Sequence, residues 1–272
     1  MTTLIDTHCH LQDPKFDGAS TAAAIERARA AQIEMVLCGY DARTNTQALE
    51  IAARYDGVYP SVGFHPHEAK DVTAAMLAEL EALARLPEVV AVGEIGLDFY
   101  RNLSPHDVQR RVLDEQLAIA ASLRKPVSVH TRGAEEAALE PLTAYSHLCK
   151  WQPGDVPIGV MHCFGGSIAQ ARRYVGIGFV VSIACTITYP KNDDTRALAA
   201  GLPLEALVVE TDSPYLPPQS MRGQRNEPFH VQSAIEAVAA ARNEPVSRVA
   251  DATTATARRV FALSDSRVPA WS

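Results

Sequence analysis

Short apolar runs alternate with longer amphipathic stretches along the whole chain. The runs fall near Leu4–Asp6, Met35–Gly39, Tyr59–Gly63, Val89–Ile95, Pro126–His130, Ile158–His162, Phe179–Ile183 and Leu207–Glu210, each of strand length. Between them, apolar residues recur at helical spacing over Ala19–Gln32, Thr44–Tyr55, Val72–Leu86, Pro105–Leu123 and Ala134–Leu148. Phe229–Arg242 and Val246–Phe261 read as closing helices, with Pro245 as the first helical residue of the second. Strand and helix in alternation predict a parallel sheet. The expected fold class is α/β, a single (β/α)8 TIM-type barrel, and 272 residues suit a barrel of about 250. No repeat, low-complexity tract or Gly/Ser linker divides the chain, so one domain is expected over 1–272, with 264–272 a frayed tail.

Six potential metal ligands sit at the ends of these runs: His8, His10, Glu94, His130, His162 and Asp212. In a (β/α) barrel the C-terminal strand ends converge on one mouth, so the six are expected to form one site. In extended chain His8 and His10 face the same side. Glu94 lies in an apolar run, where an ionised carboxylate is costly unless paired or metal-bound, and its glycine neighbours permit close backbone approach. His130 and His162 end consecutive strands in the same way. The spacing predicts two divalent ions, Mg, Mn or Zn, with Glu94 as the bridge. One ion takes His8, His10, Glu94 and Asp212; the other takes Glu94, His130 and His162. Asp212 and Glu94 are the expected catalytic residues, Asp212 serving also as general base. Glu210 points the same way from deeper in the barrel, as a structural partner, and Asp98 is expected to orient a neighbour. Cys9 and Cys163 adjoin ligands without being ligands.

Around the mouth, His65 is a candidate substrate contact, to phosphate, whereas His67 is expected to cap or pack its loop. Arg132 and Arg225 are further substrate candidates through charge-assisted bonds, and Arg101 and Arg222 are close alternatives. The loop from Thr211 to Pro228 is long and proline-rich, the character of a binding element.

Composition narrows the function class. A net charge of −7 argues against a protein that coats nucleic acid but not against an enzyme gripping a few phosphates. Five scattered cysteines without a CxxC pair suggest a reducing compartment. With no apolar run of membrane-spanning length and no signal peptide, a cytoplasmic protein is expected, with neither membrane nor obligate protein partner.

The stretches IDTHCHLQD, GFHPHEA, VGEIGLDFYR, KPVSVHTRGAEE, MHCFGGS, ETDSPYLPP and GQRNEP occur in the order found in the TatD family of metal-dependent DNases, which the chain resembles from Asp6 to Phe261. It departs from that pattern at Gly133-Ala134, Gly165-Gly166 and Thr256. The resemblance implies an amidohydrolase-superfamily barrel and divalent-metal-dependent phosphodiester hydrolysis. It further implies 3′-5′ exonuclease action on single-stranded DNA ends, with RNA a possible substrate. By matching motif it assigns the six strand-end residues as ligands and His65 as substrate contact. The expected reaction is attack by a metal-bridged hydroxide on phosphorus. The runner-up is hydrolysis of a small lactone, ester or amide by the same barrel. A non-catalytic binding barrel comes third, because it has little need of six convergent ligands.

Overall fold

In the computed structural model, which describes residues 3–263, eight strands form one parallel sheet in strict chain order. They are β1 (Leu4–Cys9), β2 (Ile33–Cys38), β3 (Val58–Val62), β4 (Ala91–Asp98), β5 (Val127–Arg132), β6 (Gly159–His162), β7 (Phe179–Ala184) and β8 (Leu207–Glu210). The helices between and after them are α1 (Gly18–Ala30), α2 (Ala42–Ala52), α3 (Ala74–Ala84), α4 (His106–Leu123), α5 (Leu139–Leu148), α6 (Ile168–Gly176), α7 (Asp193–Gly201), α8 (Val231–Arg242) and α9 (Val246–Phe261). This is a (β/α)8 barrel.

The sheet closes between β1 and the chain just past β8. Asp212 N donates to the His8 carbonyl at 2.9 Å, His10 N donates to the Ser213 carbonyl at 2.7 Å, and Cys9 bridges Ser213 in parallel. The buried Asp6 carboxylate adds the Thr211 amide and hydroxyl as donors, at 2.9 and 2.6 Å. The seam thus fixes His8, His10 and Asp212 relative to one another.

Period-two alternation sorts side chains between two layers. Ile33, Met35 and Leu37 of β2 join the core under the helices, whereas Val36 and Cys38 belong to the barrel interior with Ile5, Ala91, Val160, Val180 and Val208. Helix α9 closes the lower end with Ala257, Val260 and Phe261. Above that apolar floor lie hydroxyls: Thr7 Oγ1 is 3.3 Å from Ser182 Oγ, and Ser61 Oγ donates to the Gly93 carbonyl at 2.8 Å. The six strand-end residues lie above this layer. Burying an apolar floor beneath a polar ceiling stabilises the barrel from one end and leaves the other for chemistry.

Side-chain caps mark four of the nine helix starts among the described residues. Asp17, Asp41 and Ser167 each form a reciprocal capping box, and Thr73 caps α3. Several expected boundaries shift by a few residues. The segment expected as helix from Ala134 becomes α5 only at Leu139, after turns in which Ala138 N donates to the Ala134 carbonyl. Pro245 is the residue before α9 rather than its first residue. The short α6 and α7, nine residues each, fill the gaps after β6 and β7. Among the described residues no helix is long and apolar enough to cross a membrane. The expected tail, 264–272, lies outside the described residues.

Candidate metal centre

The six strand-end residues meet at the upper end of the barrel, around Glu94. Two backbone features bring that carboxylate in. At Gly96, φ is +144°, and a Cβ there would stand 1.9 Å from the His130 carbonyl oxygen. A Cβ on Gly93 would stand 2.6 Å from the Ser128 Cβ. Only glycine lets β4 press this closely on β5, with Gly96 paired to His130 across a register shift between Val92 and Ile95.

The two Glu94 oxygens then face different imidazoles. Oε2 is 3.4 Å from His8 Nε2 and 3.5 Å from His10 Nε2. Oε1 is 3.1 Å from His130 Nδ1, 3.5 Å from His162 Nε2 and 3.4 Å from His65 Nε2. Asp212 Oδ1 joins the first group, 3.5 Å from His10 Nε2. His8 and His10 bring their Nε2 atoms within 3.0 Å of each other. Two nitrogen lone pairs that close repel unless a proton or a metal cation lies between them.

The second nitrogen of each ring says which atom is free to bind. His10 Nδ1 is 2.8 Å from the Cys38 carbonyl oxygen, which can only accept, so Nδ1 carries the hydrogen and Nε2 the lone pair. His162 Nδ1 lies 2.9 Å from Glu210 Oε1, leaving Nε2 toward Glu94. His130 Nε2 lies 3.3 Å from Asp98 Oδ2, leaving Nδ1 inward. His8 Nδ1 meets the Ser128 hydroxyl at 3.2 Å. Outer partners of this kind fix the tautomer and orientation of ligating imidazoles. Glu210 and Asp98 are thus the structural partners their positions suggested.

His65 is different. Its Nδ1 accepts the His67 amide at 3.1 Å as the cap of the short 3-10 turn that follows, so the neutral ring carries its hydrogen on Nε2. It stands among the ligand-capable groups as a donor, not as a lone pair. His67 packs on Asp98 Oδ2 at 2.8 Å, and the capping role falls to His65 instead.

Electrostatics follow the same division. Burial alone would raise the Glu94 pKa, but His65, His8 and His162 hold it well below the usual carboxylate range. Asp212 is likewise lowered against its burial by His10, His162 and His8. Burial would lower His162, yet the Glu210 and Glu94 carboxylates push it up to about 10. His10 and His130 are raised by their carboxylate partners against burial, whereas burial lowers His8 and drives His65 well below the ordinary imidazole value. The donor set is imidazole and carboxylate, and the ligand-capable groups among the described residues contain no thiol. Such a set fits Zn, Mn or Mg. Glu210→Gln should lower metal affinity by about ten- to a hundredfold while leaving the fold intact, read by metal titration beside thermal unfolding. An unchanged affinity would reduce Glu210 to a packing residue.

The site opens into a cavity of about 840 Å³ whose wall includes Arg101, Arg132, Tyr40, Tyr189, Asn192 and Tyr215. Arg225 is not part of that wall. Its guanidinium stacks on Phe16 at 4.2 Å and donates to the Lys15 carbonyl and Glu227, away from the cavity that Arg101 and Arg132 line. Arg222 stacks on Tyr189 at 4.8 Å. The long loop instead contributes Tyr215 and Leu216, pinned because the fully buried Asn226 amide donates to the Thr211, Tyr215 and Leu216 carbonyls. Sequence spacing gave no sign of Tyr40, Tyr189 or Asn192, which come from loops without periodicity.

The profile of the family described as TatD related DNase matches residues 5–262. A metal-dependent hydrolase of Bacillus subtilis, YabD, is 34% identical over 262 residues, covering 96% of this chain and 100% of that one. A Rahnella protein named 3′-5′ ssDNA/RNA exonuclease TatD is 36% identical over 265 residues, 95% of this chain and 98% of its own. The crystal structure of YjjV, a TatD homologue from Escherichia coli K12, matches with a TM-score of 0.88 at 33% identity, over 97% of this chain and 99% of that one.

Proposed function

This chain belongs to the TatD-related DNase family and is a metal-dependent hydrolase, and from that premise we propose that it removes nucleotides from the 3′ ends of single-stranded DNA, with RNA strands also accepted. The observation that carries the reading is the Glu94 carboxylate, one oxygen toward His8 and His10 and the other toward His130 and His162. A similar protein bears the name of a single-strand exonuclease, and the cavity wall holds two arginines suited to a phosphate backbone.

His8, His10, Asp212 and Glu94 Oε2 would hold one divalent ion; His130, His162 and Glu94 Oε1 would hold a second. Such ions supply Lewis acidity, lowering the pKa of water toward about 7 and offsetting charge on phosphate. The chain's own residues do the rest. Asp212, held ionised, accepts a proton from the attacking water. His65 Nε2–H donates to a non-bridging phosphate oxygen, and its burial keeps the ring neutral. Arg132 and Arg101 offset the remaining charge. Glu210 and Asp98 keep His162 and His130 turned inward.

The test strips the protein of metal, restores Mg, Mn or Zn singly, and follows digestion of 3′- and 5′-labelled single strands. Metal-dependent loss of the 3′ label first is expected. Because loading must displace protons from His162, His130 and His10, the metal concentration needed for half-maximal rate should rise as pH falls. Turnover of lactones or amides without nucleotide release would transfer the proposal to small-molecule hydrolysis.

A further inference from the structure

The loop after β4 carries Tyr100 with 66% of its surface exposed, an unusual position for a large aromatic residue. The Arg132 guanidinium lies over its ring, 4.1 Å from the centroid, and most of the ring's surface stays open beside that contact. Unlike Arg225, Arg132 is engaged by no carboxylate among the described residues, and it lines the cavity over the metal centre. The exposed Leu103 lines the same wall. Tyr100 itself stands just outside that wall, held against it by Arg132, and an arginine backing a tyrosine beside a site is a combination that holds an unpaired base by stacking and its phosphate by charge.

The platform is fastened to the reacting centre. Asp98 Oδ1 accepts the Tyr100 amide at 2.9 Å and the Arg101 amide at 2.7 Å. Its other oxygen, Oδ2, takes His130 at 3.3 Å and His67 at 2.8 Å. One buried carboxylate thus fixes both the inward turn of a proposed metal ligand and the height of the Tyr100 ring. Phe99, the preceding residue, has the His106 ring stacked on it at 3.7 Å and the Arg110 guanidinium 5.7 Å from its ring centroid. The ring is therefore exposed on a fixed loop rather than on a loose one.

We infer that Tyr100, backed by Arg132, is a stacking subsite for a nucleobase of the strand being cut, and that it favours unpaired over paired ends. A base in a duplex has its faces covered by neighbours and cannot lie flat on the ring without unstacking. The inference rests on the nucleic-acid reading above and adds to it the residue that selects the strand's state. Tyr100 touches the base and not the scissile phosphate, so its loss acts on binding.

Oligonucleotides with 2-aminopurine placed at successive positions from the 3′ end test this in the metal-loaded protein. Stacking quenches the fluorophore. Wild type should quench it at one position, Tyr100→Ala should lose that quenching and raise KM about tenfold with kcat little changed, and Tyr100→Phe should restore both. An abasic nucleotide at the quenched position should raise the wild-type KM and leave the Tyr100→Ala value unmoved. Equal quenching and equal KM in Tyr100→Ala would overturn the subsite while leaving the exonuclease reading intact. Failure of the wild type to release nucleotides from any strand would overturn both.

Discussion

Glu94→Ala is expected to reduce nucleotide release by about a thousandfold or more while leaving the barrel folded. Removing one electrostatic contact from an active site costs about a hundred- to a thousandfold, and Glu94 would serve both proposed ion positions at once, since its two oxygens face different imidazoles. Metal content by mass spectrometry should fall with activity, which separates this loss from a fault in substrate binding. The fold survives because the side chain faces the open end of the barrel and water can replace it. Stability of the metal-free protein gives an independent reading. The Glu94 pKa lies below its ordinary 4.5, so its contribution is present above about that pH and fades as pH falls through the lowered value. The His162 pKa lies above its ordinary 6.5, so its contribution is complete below that pH and fades as pH rises toward about 10. The wild-type advantage in Tm over Glu94→Ala, measured in chelator, should therefore be greatest near pH 5–6 and shrink on either side. A variant retaining full nucleotide release would sink the proposed mechanism.

The strand ends were legible because a barrel imposes a simple geometry on the sequence. Once His130 and His162 end runs of alternating inward residues, β5 and β6 place them opposite one another, and the register pairs them directly. Glycine beside Glu94 was legible for a related reason: it signals close approach, here of β4 to β5. What the sequence could not disclose was pairing across large separations. Arg225 looked like any loop arginine, and only the fold brings Phe16, 209 positions earlier in the chain, beneath it. The tautomers were equally hidden, since they depend on Asp98, Glu210 and the Cys38 carbonyl arriving at the second ring nitrogens. His65 shows the difference best. Its motif suggested a substrate contact, the fold sets its Nε2 3.4 Å from Glu94 among the ligand-capable groups, and the turn amide on its Nδ1 favours a donor's role over a ligand's.

That distinction makes His65 the second site of large effect. His65→Ala should lower kcat by about a hundred- to a thousandfold, as loss of a donor to developing charge does, with two ions still bound. The capping function complicates a simple deletion, because His65 Nδ1 accepts the His67 amide. His65→Asn resolves it: asparagine supplies a capping acceptor but is too short to keep the imidazole's place beside Glu94. If donation to phosphate is the role, both variants lose kcat alike, and only His65→Ala loses stability, by about 1 kcal/mol. Phosphorothioate strands add a readout that capping does not touch. Sulfur in place of the oxygen facing His65 should slow the wild type and make little further difference to His65→Ala. If instead metal stoichiometry falls in both variants, His65 is a ligand, and the Nδ1 contact to the turn does not persist in the loaded protein. A neutral donor is also the state its surroundings enforce, since burial drives its pKa well below the ordinary imidazole value. Its contribution to kcat should then stay constant across neutral pH, where a protonated histidine would titrate away.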